Sequence, residues 1–484
     1  MTGSRTRRAA LRVLLLAWVA LAVVSPAPSS EAQPDRPARP ASGVQAGEQA
    51  IAELRVEDAA AIAREAFRER PSDPRVLALM GVVAFHQGDY GAAVTHLEAS
   101  GSVGEVGGLV STVRSTRDLL APFVRARSVD GRYQVWHAPG PDALLVPYAL
   151  DALAAADRYI SAVLGHRVPG PIRLEIYPDA RSLAQVSSLT VQDIERSGTI
   201  ALCKWDRLMV TSPRALLHGY AWTDTISHEL VHLILARASR DSAPVWVQEG
   251  IAKYLEAGYR RGSAPFALDA VSQGILHEAS SGDALLPFER LHPSIALLPS
   301  QRDAALAFAQ VSTFVQGFHA RYRDAGLVNV IGRMAAGQDA REAFASAAGV
   351  PCAQLESRWR ADVRALPSPT QPRLVPRRLI AAMGAQDDDT ADLAELGDEA
   401  RRRLRLGDLL AARQRHGAAA HEYGAALAIA PEDPVVAARF ARAALQSGQA
   451  ERAVAALRPV VATHPEYAPS AALLARALEA AGVE

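Results

Sequence analysis

Pro431 and Pro465 stand 34 residues apart, and Gly448 with Gly482 and Ala419 with Ala453 keep the same offset. A fixed period of this size constrains the fold more than any composition. Each unit is one supersecondary piece that cannot bury its apolar face alone, so neighbours must stack. Within the units, small and aromatic residues fall where two antiparallel helices approach closely. These are Gly407, Ala419, Tyr423 and Ala426 before Pro431, then Gly448, Ala453 and Leu457 before Pro465. The last stretch, SAALLARALEAAG, has the length and pattern of a terminal capping helix. A second copy of the pattern lies near the other end, where MGVVAFHQGDYGAAVTHLEAS carries Gly81, Gly88, Tyr90, Ala93 and Leu97. A helix expected from Glu57 to Arg70 precedes it and supplies Ala59 and Ala66.

This spacing resembles the tetratricopeptide repeat, and the resemblance implies helical hairpins that present a groove to a partner peptide or protein. Proline-punctuated stretches, QPDRPARPASG at 33–43 and LPSPTQPRLVPRR at 366–378, read as linkers, the second followed by Asp387, Asp388 and Asp389.

The first residues have a different character. Arg5, Arg7, Arg8 and Arg12 precede an unbroken apolar run from Val13 to Val24, and Ser30-Glu31-Ala32 sets small side chains at −3 and −1 of a cleavage site. This is the layout of a secretory leader, with the mature chain expected to begin near Gln33 in the periplasm or outside the cell. The apolar run is about half of the ~20 residues a membrane span needs, so no lasting span is expected. Thr6-Arg7-Arg8 also fits a twin-arginine export signal loosely. No cysteine near the cleavage region offers a lipid attachment point.

Lys plus Arg and Asp plus Glu both number 52 in the 484 residues, so the chain lacks the basic footprint that nucleic acid would require. The two cysteines, Cys203 and Cys352, carry no ligand spacing and read as small buried hydrophobes; whether they pair is not decided by sequence.

The middle of the chain alternates strand and helix: GRYQVWHAP (131–139) as strand, 141–165 as helix, GPIRLEIYPD (170–179) and 198–213 as strand, then mostly helix to about 365. Within it, SHELVHLILARASRDSAPVWVQEG places His228, Glu229, His232 and Glu249 in the pattern H-E-x-x-H with a later glutamate. Helical residues four apart lie about 40° apart on the surface, so His228 and His232 project from one face, with Glu229 beside them. Leu230, Val231, Leu233, Ile234 and Leu235 already give the helix ample apolar surface. Burying three polar side chains among them is costly without a metal or other partners. A chance H-E-x-x-H in such a chain has a likelihood on the order of a few per cent. Catalytic zinc takes three protein ligands, and Glu249, about one turn into a second helix signalled by Ser242 and Pro244, is the candidate third.

H-E-x-x-H followed by W-x-x-E-G-x-A-x-Y resembles the gluzincin zinc metallopeptidases, and most of all the peptidase MA-like group, over roughly residues 130–365. The resemblance implies one zinc ion held by His228, His232 and Glu249, Glu229 as general base, and peptide or protein substrates. It also implies an edge strand around Gly198 to Lys204 along which an extended peptide aligns. The expected architecture is an α+β zincin-like metallopeptidase domain, a small sheet plus active-site helices, between N- and C-terminal all-α tetratricopeptide-repeat hairpins. Its expected bounds are leader 1–32, linker 33–46, helices 47–125, peptidase domain 130–365, linker 366–398 and repeats 399–484.

Two positions depart from the relatives. Lys253 stands where many gluzincins have a carboxylate that orients a ligand histidine, which leaves Glu256 or a main-chain carbonyl for that task. In LAFAQVSTFV, Phe308 stands where a tyrosine hydroxyl would help to stabilise the oxyanion, with Tyr254, His277 and His292 as substitutes. An envelope scaffold that keeps zinc but has weak or no activity, and acts through its repeats, is therefore the alternative expectation.

Overall fold

The computed structural model describes residues 43–366 and 396–482, apart from 102–105, 192–193, 195–198, 217–219, 263, 292–294, 296–297, 299–300 and 465–466. The expected leader, its cleavage site, most of both linkers and His292 lie outside the described residues. The chain divides into two compact units, one holding 1–215, 220–267 and 279–365, the other 216–219, 268–278 and 366–484.

The first unit opens with helices α1 (Gly43–Ala52), α2 (Val56–Glu69), α3 (Pro74–Gln87), α4 (Tyr90–Ala99) and α5 (Val106–Leu120). Asp73 and Asp89 cap α3 and α4 by accepting from Arg75 N and Ala92 N, and Gly88 between them takes the left-handed φ of 79° that ends α3. Helix α1 begins inside the stretch expected to be linker (33–46), and the first strand begins before residue 130, the expected start of the peptidase domain. Pairing with its neighbour decides where that strand starts.

The five strands are β1 (Val124–Arg127), β2 (Tyr133–His137), β3 (Ile172–Tyr177), β4 (Ala201–Lys204) and β5 (Arg207–Thr211). Their order is β1-β2-β3-β5-β4. The β2–β3 and β3–β5 pairs are parallel, and both outer pairs are antiparallel. Between β2 and β3 the chain crosses over through α6 (Val146–Leu164), and α7 (Ala180–Gln185) follows β3. All six residues of β3 are buried, as a central parallel strand covered on both faces requires.

One sheet face packs on the helical side of α3, α4, α5 and α7, in a core with Phe85, Tyr90, Leu97, Leu120, Trp136, Tyr177, Leu202 and Met209. Glu175 is buried in this layer. Tyr90 and Tyr177 donate to its two oxygens, each at 2.5 Å, and Arg207 approaches to 3.1 Å and Arg173 to 3.3 Å. The N-terminal helices therefore form a layer of the same unit, with apolar side chains committed to the sheet.

Six helices follow in chain order: α8 (Trp222–Ser239), α9 (Val245–Leu255), α10 (Gly258–Arg261), α11 (Ala270–Ser281), α12 (Phe288–Leu291) and α13 (Gln301–Ala335). Helix α13 kinks at Arg323, whose φ is 58°. Helices α14 (Ala340–Ala348) and α15 (Cys352–Arg364) complete the first unit, to which residues 270–278 of α11 do not belong. Trp246 of α9 anchors this region against the rings of Phe288, Phe314 and Phe344, with centroids 5.7, 6.1 and 5.8 Å away. The stretch read as strand over 198–213 is a hairpin, β4 and β5 turning at Trp205 and Asp206. Both turn residues have positive φ (54° and 55°), the signature of a two-residue primed turn.

The second unit contains α16 (Asp398–Ala412), α17 (His416–Ile429), α18 (Pro434–Gln446), α19 (Ala450–Thr463) and α20 (Ala468–Ala481). Its core holds Leu404, Ala419, Tyr423, Ala426, Val436, Phe440, Ala453 and Leu457, so the small residues of the 34-residue period sit at helix–helix contacts. A Cβ on Gly407 would come within 2.4 Å of the Tyr423 ring, which is why that position is glycine. Cys203 and Cys352 are both free thiols, Cys203 buried and Cys352 half-buried.

Candidate metal centre

Helix α8 runs beneath β4 and β5 with both faces covered: Ile226, Leu230, Val231, Leu233, Ile234 and Leu235 are buried, and so are Glu229 and His232. The helix ends at Arg240, in the left-handed region, and Asp241 N closes it by donating to Ala236 O at 2.8 Å. The chain then reverses. Pro244, in extended conformation, opens α9, whereas the Ser242 hydroxyl donates back to Ser239 O and does not cap the new helix. Gly250 lets α9 press against α13, where a Cβ would meet Val311 O at 3.0 Å.

This reversal brings Glu249 onto the two histidines. His228 Nε2 lies 3.3 Å from Glu249 Oε2, and His232 Nε2 lies 3.8 Å from Glu249 Oε1. One atom from each of the three residues falls within 4.8 Å of the others, a spacing that suits a single metal ion. The donor set, two imidazoles and a carboxylate, matches a catalytic zinc site. Beside it, Glu229 Oε2 is buried without a hydrogen-bond partner.

The other oxygen of Glu229 has a partner that sequence could not reveal. In a two-residue hairpin the closing pair, Lys204 and Arg207, is hydrogen-bonded, and the next pair, Cys203 and Leu208, is not. The Cys203 N–H therefore points to the open edge of the sheet, where the Glu229 carboxylate accepts it. As expected, the strand upstream of the motif helix lies at an edge of the sheet, and Glu229 is tied to it.

The electrostatics divide the four residues. Burial pushes the Glu229 carboxyl up to about 8, with Glu249 adding and the His228 charge and the Cys203 N–H opposing. Burial also pushes His232 down to about 4. For His228, burial acts in the same direction, but hydrogen bonds and charges from Glu249 and Glu256 outweigh it and raise the imidazole to about 10. Glu249 would be raised by burial, yet the two histidines hold it below the usual carboxylate range.

Beyond the cluster, Glu256 Oε2 meets His228 Nδ1 at 3.0 Å and Lys253 Nζ meets Glu256 Oε1 at 2.7 Å. Tyr254, expected as an oxyanion donor, has its hydroxyl 2.8 Å from His319 Nδ1, and His319 Nε2 is 2.5 Å from Asp324. His277 lies half-buried on α11, and Phe308 is half-buried on α13. Two residues escaped the sequence reading. The Gln248 side chain neighbours His232. Tyr220 donates to Thr211 O and is raised by burial and by the charge of Glu229. The position of Gln248 directly before Glu249 was a usable signal; nothing local marks Tyr220.

Residues 152–365, which contain the whole cluster, match the Peptidase MA superfamily. The matched stretch begins within α6, so β1 and β2 precede it. Residues 410–482 match the tetratricopeptide repeat. The chain thus carries a Peptidase MA superfamily domain followed by a tetratricopeptide repeat region. No curated protein matches it. Among the described residues no helix is long and apolar enough to cross a membrane.

Proposed function

We propose that the protein is an exported zinc-dependent metallopeptidase. The observation that carries this reading is the convergence of His228, His232 and Glu249, with Glu229 beside them and tied to the sheet edge. When bound, zinc lowers the pKa of water toward neutrality and polarises a carbonyl. The protein's own residues do the rest. His228, His232 and Glu249 hold the ion, and Glu229 takes the proton of the attacking water and delivers it to the leaving amine. Strand β4 offers its open edge to an extended peptide, and such main-chain pairing tolerates many sequences. The C-terminal repeats recruit a substrate or partner protein, and helices α1 to α4 are read as repeat-like hairpins.

The test is metal analysis of the purified chain with a peptide-library digest, with and without chelator. His228→Ala, His232→Ala and Glu249→Ala are each expected to lose the zinc, because two protein ligands rarely hold it. Glu229→Gln is expected to keep the metal and abolish hydrolysis, since an amide cannot accept the water's proton. A Glu229→Gln protein with wild-type turnover would sink the mechanism. The scaffold alternative gains support from Tyr254, whose hydroxyl is engaged by His319. On that alternative the wild-type chain binds zinc and cleaves nothing.

Export rests on the leader pattern, with Ser30-Glu31-Ala32 as cleavage site. N-terminal sequencing of the exported protein is expected to start near Gln33. An intact Val13 to Val24 run in a membrane fraction refutes this.

A further inference from the structure

Both imidazoles of the cluster lean on α9, the helix that also supplies Glu249. His228 meets Glu256 through Nδ1 at 3.0 Å, and His232 meets the side chain of Gln248. These two neighbours are themselves fixed. Gln248 Nε2 donates to Ala243 O at 2.8 Å, which fixes its amide beside His232. Lys253 Nζ holds the second oxygen of Glu256 at 2.7 Å.

Helical spacing explains why one element can do this. Positions four and seven beyond Glu249 return to nearly the same side of a helix, so Glu249, Lys253 and Glu256 form one polar row facing α8. Such a row on a helix whose other side is packed around Trp246, Val247, Ile251 and Leu255 is a poor structural choice unless it has a task. A carboxylate accepts and cannot donate, so Nδ1 of His228 carries the proton. Nε2 is thereby turned toward Glu249 and His232, where the three donor atoms converge.

We propose that Glu256 and Gln248 are positioning residues for the two metal-ligating histidines, with Lys253 as the tether that keeps Glu256 in place. The inference rests on the zinc reading above. It assigns unequal supports: a charged acceptor behind His228, which strengthens that imidazole as a ligand, and a neutral amide behind His232. Lys253 then contributes by fixing the carboxylate one turn further on.

The experiment measures zinc affinity of the full chain by competition with a chelating indicator, for the wild type, Glu256→Gln, Gln248→Leu and Lys253→Met. Far-ultraviolet circular dichroism and melting temperature are recorded for each protein before metal is added, and the cobalt(II) absorption spectrum after. Glu256→Gln is expected to weaken zinc binding about 10–100-fold with the helical spectrum unchanged and the cobalt bands shifted. Gln248→Leu and Lys253→Met are expected to weaken it by smaller factors. If Glu256→Gln does not fold, Lys253→Met carries the test, because Glu256 and His228 are then intact and the tether alone is lost. Variants that bind zinc as tightly as the wild type, whatever their melting temperatures, overturn the inference and leave the metal reading standing. A wild-type chain that takes up no zinc overturns both.

Discussion

At the scale of single residues the cluster shows how one helix face is divided between chemistry and packing. His232 is almost fully buried and kept neutral by that burial, whereas His228 sits between two carboxylates. At this scale Phe308 is the residue to vary. Phe308 is half-buried, so it has space on one side, and Phe308→Tyr adds a single oxygen. If its helix turn borders the cleft, the added donor is expected to raise turnover of a generic peptide, since one oxyanion donor is typically worth about 10²–10³ in rate. If the ring edge is packed away from the cleft, an unsatisfied hydroxyl lowers stability by roughly 1–3 kcal/mol and leaves the rate unchanged. Melting temperature and turnover of this one variant separate the outcomes. Sequence made most of the cluster legible here, since H-E-x-x-H sets His228, Glu229 and His232 within one and a half turns. The partner of the Tyr254 hydroxyl, His319, lies on a helix 65 residues away, and no local pattern announces it.

At the scale of elements, the place of Glu249 depends on how α9 folds back on α8 and docks on α13. Gly250 governs that docking, because Val311 main-chain atoms leave a Cβ no more than 3.0–3.2 Å. Gly250→Val is expected to force α9 outward, destabilise the protein by about 1–3 kcal/mol and weaken zinc binding. Thermal unfolding and zinc titration check it; an unaltered melting temperature would mean that α13 yields. The β4–β5 hairpin matters equally, since its turn decides which main-chain N–H faces Glu229. The turn chemistry was hidden, because Trp205 and Asp206 are unusual residues for two successive left-handed positions.

At the scale of the molecule, the N-terminal helices are part of the first unit. Glu57 and His86 reach Arg237 and Asp206 at 2.8 and 2.9 Å, joining α2 and α3 to the motif helix and the hairpin turn. Arg237 and Asp206 meet in turn at 2.8 Å. The buried Glu175 joins α4 to the sheet in the same way. Glu175→Ala leaves Arg207 buried without its carboxylate and is expected to cost about 3–5 kcal/mol. Chemical denaturation measures it, and a loss below 1 kcal/mol, roughly a surface pair's worth, would show that the network contributes little.

What the sequence determined by itself was periodic or local. The 34-residue repeat gave the C-terminal helices, and the spacing of His228 and His232 gave a shared face. Alternation located β2 and β3. Each of these is set by residues a few positions apart, where backbone geometry alone decides which side chains are neighbours. Tertiary structure decided the rest. It joined β1 to the sheet and set the N-terminal helices against it. It gave Glu229 the Cys203 N–H, and His228 the support of Glu256 while Lys253 took a tethering place. Those contacts bridge elements whose relative placement follows from burial of the whole core, and no stretch of sequence contains that information.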